Sequence, residues 1–456
     1  MTLALALAFA AVTVDEPDDS LSFPGLGTVA LYAPAGAPKE VVLFVSGDGG
    51  WKLGVISMSQ RLGQEGALVA GINIRALLRT LEAQKCAYPA GSLEELSRAV
   101  QLHRALPEYH RPILAGYSSG ATLVYAALAA APPETFAGAI SLGFCPDLDI
   151  RVPPCRGEGL AFTKRAQRIG FDLAPQALPV PWMVLQGQND QVCDPAVTRA
   201  FVARAGERAR LFELPVVGHG FGVSRRWESA FLEAYRSVAA EGARAAQPPA
   251  ASSEVADLEP VEVASPRAGR TFAVLLTGDG GWAAIDKALA AAMAERGVPV
   301  VGWSSLRYFW TPRTPEAAAA DLSRLIEHYA AAWRRDRVLL VGYSFGADVL
   351  PFLLNRLPEA TRRRVESLGL LGLSETASFS FHITSWLGGG GDKRYPTAPE
   401  VDRCAVPIVC VSGSEEHDSS CAALRSPRVR RLELPGGHHF AGQYERIAEG
   451  LIPRDP

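Results

Sequence analysis

The chain of 456 residues is short of the features that mark membrane interiors, metal sites and nucleic-acid binders. Beyond its N-terminus it has no run of eighteen apolar residues, which argues against a membrane span in its body. Its formal net charge is only −3, so no electrostatic ground exists for nucleic-acid binding. No Cys-x-x-Cys pair occurs, which removes the zinc ribbon, and His438-His439 has no third ligand at usable spacing. Neither a metal nor a cofactor is expected. The glycine runs Gly47-Asp48-Gly49-Gly50 and Gly278-Asp279-Gly280-Gly281 lack the Gly-Lys-Ser/Thr ending of a phosphate-binding loop.

The N-terminus lacks the basic residues that usually open a secretory signal, yet the rest of that pattern is present. Residues 1–14 are apolar and rich in small side chains, Ala8-Phe9-Ala10 offers a cleavage site, and an acidic patch follows. Residues 1–20 therefore read as an export segment, and the expected location is the periplasm. Seven cysteines are present, an odd number. In an oxidising compartment Cys145–Cys155 could close a short loop, and Cys86–Cys193 or Cys404–Cys421 a longer one; buried free thiols are the alternative.

What is abundant is self-similarity. Val41 to Trp51 (VVLFVSGDGGW) matches Phe272 to Trp282 (FAVLLTGDGGW), and Leu114 to Ala121 (LAGYSSGA) matches Leu340 to Ala347 (LVGYSFGA). Glu213-Leu214-Pro215 matches Glu433-Leu434-Pro435 near the end of each copy. Such order and spacing imply a duplicated domain: a first copy over 21–240, a second over 269–456, and between them, at 241–268, an Ala/Pro/Ser-rich segment read as a linker. In the second copy, near-continuous apolar runs at 272–277, 298–303, 338–342, 367–373 and 408–411 have strand length. The run 429–434 is broken by Arg430, Arg431 and Glu433, as in a half-exposed edge strand. Helical stretches between them predict an α/β fold, two tandem α/β-hydrolase-like domains each built on a mostly parallel, doubly wound sheet.

Gly342-Tyr343-Ser344-Phe345-Gly346 follows an apolar strand and precedes a helical run, the context of a nucleophile elbow. Gly116-Tyr117-Ser118-Ser119-Gly120 sits alike in the first copy. One such motif is weak evidence, whereas two in register within a repeat are strong. A serine nucleophile needs a base, itself oriented by an acid, in the chain order Ser, Asp/Glu, His. Asp-x-x-Cys recurs at Asp190 and Asp418, which makes these the expected acids, with Glu415 as runner-up in the second copy. His-x-Phe recurs at His219 and His438, which makes these the expected bases and sets His439 aside. The predicted triads are Ser344, Asp418, His438 and Ser118, Asp190, His219. Oxyanion donors are expected from the residue after each serine, Phe345 and Ser119, and from the glycine loops at Gly280 and Gly49.

At these residues the chain resembles the AcvB/VirJ family of bacterial virulence proteins, through Gly278–Trp282, Ser305-Leu306-Arg307-Tyr308-Phe309-Trp310, the run GYSFGADVLPF from Gly342 to Phe352, and the loops of Asp418 and His438. The two-copy layout is similar to the AcvB type, and the second copy alone to VirJ. The resemblance implies a periplasmic serine esterase that hydrolyses the aminoacyl ester of lysyl-phosphatidylglycerol, with an aminoacylated phospholipid as partner and peripheral contact with a membrane. It favours Ser344, because Asp348 replaces Thr122 and Asp286 has no obvious counterpart in the first copy. Asp279, Asp286 and Asp348 are expected to hold the lysyl ammonium and Arg307 the lipid phosphate. Tyr308, Phe309, Trp310 and Trp386 are candidates for an apolar entrance. The first copy is expected to be active, to bind lipid or to serve as a scaffold. A carboxylesterase or thioesterase of other substrate, and a non-catalytic periplasmic assembly factor, are the competing readings.

Overall fold

The computed structural model describes residues 16–52, 54–132, 134–157, 159–245, 254–381, 394–417 and 419–453. The chain divides into two units, the first ending at Ala240, except that residues 101–111 and 132–135 group with the second. Within the described residues no helix is long and apolar enough to cross a membrane.

The first unit holds strands β1 (Asp19–Phe23), β2 (Gly27–Tyr32), β3 (Glu40–Val45), β4 (Ala67–Ile72), β5 (Ile113–Tyr117) and β6 (Gly138–Leu142). Three short strands follow, β7 (Asp147–Leu148), β8 (Phe162–Lys164) and β9 (Phe171–Leu173), then β10 (Trp182–Gly187) and β11 (Ala209–Leu214). Its main sheet runs in the order β1-β2-β4-β3-β5-β6-β10-β11, while β7-β9-β8 form a separate small sheet. From β4 to β11 all pairings are parallel. Residues of β4, β6 and β10 are buried throughout, as strands covered by helices on both faces must be.

The second unit repeats this plan with β12 (Val261–Val263), β13 (Thr271–Leu276), β14 (Val300–Trp303), β15 (Arg337–Tyr343), β16 (Val365–Leu371), the short pair β17 (Thr376–Ala377) and β18 (Tyr395–Pro396), β19 (Ile408–Gly413) and β20 (Val429–Leu434). The order β12-β14-β13-β15-β16-β19-β20 matches the first sheet strand for strand from β14 onward. Among the described residues of this sheet, only β12 runs antiparallel to its neighbour. Two buried clusters, one led by Trp303, Phe309 and Tyr329 and the other by Leu289, Met293 and Phe440, contribute alternate residues of β13 (Phe272, Val274 and Leu276 against Ala273 and Leu275), so helices cover both sheet faces. The predicted edge strand is β20, with Arg430, Arg431 and Glu433 exposed along it.

Two boundaries differ from those read in the sequence. The helix Glu228–Ala245 runs into the expected linker, and from Glu254 onward the chain already belongs to the second fold: Val255 and Leu258 are buried in its core, and β12 pairs with β14. Three-residue β12 is too short to show a period, and its anchors lie outside it. The expected export segment 1–20 overlaps β1 at Asp19 and Ser20; residues 1–15 lie outside the described residues.

The cysteine pairing also differs. The disulfides are Cys86–Cys155, Cys145–Cys193 and Cys410–Cys421, and Cys404 is a buried free thiol. None of the three pairings expected from spacing forms, because the folded loops, rather than sequence proximity, bring the partners together.

Candidate active site

Each site is built on a strand that ends in a glycine-flanked serine. Ser118 has φ 55° and ψ −124°, and Ser344 φ 52° and ψ −118°, a left-handed backbone that non-glycine residues hold only where packing imposes it. The flanking glycines are demanded by contact. A Cβ on Gly116 would lie 2.3 Å from the Gly120 carbonyl oxygen, and one on Gly120 2.4 Å from that of Val45. The corresponding distances are 2.4 Å for Gly342 and 2.2 Å for Gly346. The helices Ser119–Ala130 and Phe345–Arg356 start at these serines, so their free N–H groups and positive dipole ends face the place where negative charge would develop.

In the first unit the three predicted residues come together. His219 Nε2 lies 2.9 Å from Ser118 Oγ, and His219 Nδ1 lies 2.8 Å from Asp190 Oδ2. Asp190 is buried, and its second oxygen accepts from the backbone N–H groups of Val192 and Cys193 at 2.8 and 2.9 Å. Gln186 Nε2 donates to Asp190 Oδ2 at 3.0 Å. The Cys145–Cys193 disulfide ties this acid loop to the loop after β6. Asp190, Cys193 and His219 also cluster closely enough to be a conceivable metal group. With the Cys193 sulfur in a disulfide and both His219 nitrogens engaged, the set does not fit one.

In the second unit Ser344 follows β15 and His438 follows β20, and the carboxylate on His438 Nδ1 is that of Glu416 rather than the runner-up Glu415. Asp418 itself lies outside the described residues. The backbone explains the correction. Asn189 N–H donates to the Val217 carbonyl and Glu415 N–H to that of Gly436, both at 2.9 Å. Asp190 N–H returns to Gly187 and Glu416 N–H to Gly413. Counted from the glycine closing each strand, Asp190 and Glu416 hold the same place. The Asp-x-x-Cys register fails because Cys421 pairs with Cys410, whereas Cys193 pairs with Cys145. Glu416 Oε2 accepts from Gly413 N–H at 2.8 Å. Among the described residues no hydrogen bond joins Ser344 Oγ to His438. The His438 side chain is 40% exposed, against 16% for His219.

The glycine loops lie against the nucleophiles. A Cβ on Gly47 would stand 3.1 Å from Ser118 Cβ, and one on Gly278 3.4 Å from Ser344 Cβ. Each loop closes as a turn, Gly50 N–H to the Gly47 carbonyl and Gly281 N–H to that of Gly278. These turns carry Gly49 and Gly280, while the N–H groups of Ser119 and Phe345 open the helices. Ser119 Oγ donates to Asp48 Oδ1 at 2.7 Å. Phe345 instead stacks on Phe381, with ring centroids 4.7 Å apart.

The residues expected to bind substrate have other partners. Asp286 is 1% exposed, and its Oδ2 accepts from Ala283 N–H at 3.1 Å at the start of the helix Ala284–Glu295. Desolvation pushes its carboxyl up to about 7. Buried as a helix cap, it is not placed to meet a ligand. Asp348 is buried too and accepts from Ser374 N–H at 2.7 Å; burial likewise raises it to about 7. Arg307 pairs with Glu259 at 2.5 Å, not with an open anion site. Tyr308, Phe309 and Trp310 are buried core residues, and Trp386 lies outside the described residues. Asp279 lies in the exposed turn of its glycine loop, one residue after Gly278.

Sequence reading missed two supports of each histidine. The tyrosine before each serine donates to the carbonyl of the histidine, Tyr117 to His219 at 2.9 Å and Tyr343 to His438 at 3.3 Å. Gly143 and Gly372, at φ 64° and 66°, leave room for the imidazoles: an added Cβ would meet His219 Cε1 at 3.2 Å and His438 Cε1 at 2.5 Å. Glycine directly after the apolar strand in both copies was the signal available.

No curated protein matches the chain. Among solved structures, the esterase Est1E from Butyrivibrio proteoclasticus is 12% identical, covering 49% of this chain and 99% of its own, with a TM-score of 0.34. A putative dienelactone hydrolase from Klebsiella pneumoniae is 18% identical, covering 50% and 98%, at 0.36. XC6422 from Xanthomonas campestris, described as an α/β serine hydrolase without lid, is 20% identical, covering 51% and 95%, at 0.30. A family model of bacterial virulence proteins, VirJ, matches residues 39–142 and 270–454. These segments make up more than half of the chain and contain both serine elbows, both glycine loops and the His438–Glu416 pair: the chain belongs to the VirJ family of bacterial virulence proteins.

Proposed function

We propose that the chain is a serine hydrolase of carboxylic esters, with nucleophiles at Ser118 and Ser344. The observation that carries this reading is the unbroken relay from Ser118 Oγ through His219 to Asp190, with links of 2.9 and 2.8 Å. His219 Nε2 takes the hydroxyl proton as Oγ attacks the ester carbonyl. Asp190 stabilises the imidazolium and holds its Nδ1–H. The N–H groups of Ser119 and Gly49 receive the oxyanion. His219 then protonates the leaving alcohol, and water attacks the acyl-enzyme by the same route in reverse. At the second site Ser344, His438 and Glu416 take these roles with Phe345 and Gly280.

The finer reading is that the ester is the aminoacyl ester of lysyl-phosphatidylglycerol, hydrolysed in the periplasm to lysine and phosphatidylglycerol. Family membership supports it, as does the aspartate, Asp48 or Asp279, carried by each glycine loop. Three disulfides fit an oxidising compartment. The experiment compares wild type, Ser118→Ala, Ser344→Ala and the double variant for fluorophosphonate labelling and for lysine release from vesicles containing the lipid. Each single variant should lose one label, and the double variant should lose both labels and the release. Undiminished lysine release by the double variant would refute the reading. Labelling without release in wild type would leave an esterase of other substrate.

A further inference from the structure

The two sites differ at the residue after the nucleophile. In the first, Ser119 supplies an oxyanion N–H from its backbone and, from its side chain, a hydrogen bond to Asp48 at 2.7 Å. Gly47, the residue before Asp48, lies so close to the nucleophile that a Cβ added to it would stand 3.1 Å from Ser118 Cβ. Asp48 is exposed. Among the described residues, no lysine, arginine or histidine forms an ion pair with it. Asp149, the acid that feels the charge of Asp48, has a cation of its own in Arg165 at 2.7 Å.

A carboxylate without a counter-ion beside an oxyanion hole opposes catalysis on a neutral ester, because it repels the charge that develops on the carbonyl oxygen. The sign reverses if the substrate brings a cation to the same place. In an aminoacyl ester the ammonium sits on the carbon next to the reacting carbonyl, so a group one residue from the oxyanion donor reaches it. The Ser119 hydrogen bond holds one Asp48 oxygen in place and leaves the carboxylate a second oxygen for the ligand. Phe345 can make no such bond, so this device belongs to the first site alone.

We propose that Asp48, held by Ser119, is the specificity carboxylate of the Ser118 site and accepts the α-ammonium of an aminoacyl ester. The proposal rests on the reading of Ser118 as a nucleophile and deepens it: the site selects the amino group common to all aminoacyl esters, whatever the side chain.

The test uses full-length Ser344→Ala protein, so that only Ser118 turns over. Its substrates are the p-nitrophenyl esters of L-alanine and propionic acid, which differ only in the α-amino group. Spontaneous hydrolysis is subtracted with the double serine variant. Adding Asp48→Asn should lower the alanyl-to-propionyl ratio of kcat/KM at least tenfold, and adding Ser119→Ala should lower it severalfold. Continued fluorophosphonate labelling of Ser118 shows that the site is intact. A ratio unchanged within twofold in Asp48→Asn, with both esters still turned over, overturns the proposal and leaves the hydrolase reading standing. Absence of Ser118-dependent hydrolysis of either ester overturns both.

Discussion

Replacing Glu416 by Gln tests the reassigned acid of the second site. His438 Nδ1 bonds Glu416 Oε1, while Oε2 accepts from Gly413 N–H at 2.8 Å. An amide can keep only one acceptor in this arrangement. With its oxygen on Gly413, its NH2 faces Nδ1 and drives the proton to Nε2, the tautomer that cannot take a proton from Ser344. In a buried triad the acid-to-amide change costs about 10⁴ in kcat, roughly 5.5 kcal/mol at a factor of ten per 1.36 kcal/mol. His438 is 40% exposed and His219 16%, so solvent screens part of the imidazolium charge at the second site. The expected loss is therefore about 10²–10³ for Glu416→Gln, against about 10⁴ for Asp190→Asn at the first site. The assay is kcat/KM for p-nitrophenyl butyrate in a Ser118→Ala background, with the fluorophosphonate rate at Ser344 beside it. If Glu416→Gln stays within twofold of its parent, or Asp418→Asn costs more, the acid is misassigned. If the Ser118→Ala protein shows no Ser344-dependent turnover at all, the second site is not a hydrolase.

Three further outcomes follow from the same geometry. Alanine at Gly372 or Gly143 places a Cβ 2.5 or 3.2 Å from the histidine ring at φ 66° or 64°; stability should fall by about 1–2 kcal/mol at either position. Turnover, assayed with the other serine removed, should fall much further for Gly372→Ala than for Gly143→Ala. Asp286 has a folded carboxyl raised to about 7, so between about pH 4 and pH 7 the folded state keeps a proton that the unfolded chain has lost. Relative to Asp286→Asn, wild type should lose stability as pH rises through that window, by at most about 4 kcal/mol, and stay level above it; urea unfolding at stepped pH reads the difference, and parallel curves would refute the assignment. Alkylation without reductant should modify no thiol in the native protein, since Cys404 is buried and its thiol is pushed up to about 12. One thiol should react after denaturation and seven after reduction; three reactive thiols without reductant would show that one of the disulfides does not form.

What was legible in the sequence is what sterics writes into it directly. The elbow glycines at 116, 120, 342 and 346 have no alternative when an added Cβ would sit 2.2–2.4 Å from a carbonyl oxygen, and strands buried on both faces must read as apolar runs. The second acid was hidden because a cysteine was used as the register mark, and a cysteine marks register only where its covalent partner is the same. β12 and the disulfides were hidden for a related reason: both are decided by what the fold brings near, and neither leaves a local period.

Asp348 shows how the two copies differ within one plan. At the fourth position after the serine, Thr122 donates to the Cys145 carbonyl at 2.6 Å, and Asp348 accepts from Ser374 N–H at 2.7 Å. Cys145 and Ser374 hold the same place, two residues beyond the glycine that clears the histidine. In the first copy this loop is also fixed to the acid loop by Cys145–Cys193. In the second, with serine in place of that cysteine, the two loops meet through Ser420 N–H on the Leu373 carbonyl at 2.8 Å. The Asp348 carboxylate thus anchors a loop that lacks the covalent tie of its counterpart. On this account Asp348→Thr should loosen the loop after β16, and so the seat of His438. A cysteine at 374 alone would not repair it, since Ser419 holds the place of Cys193, three residues after the acid, and Cys421 is already committed to Cys410. Hydrogen exchange at Ser374 N–H reads the effect directly: protection should drop in Asp348→Thr, and unchanged protection would return Asp348 to the list of substrate-binding candidates.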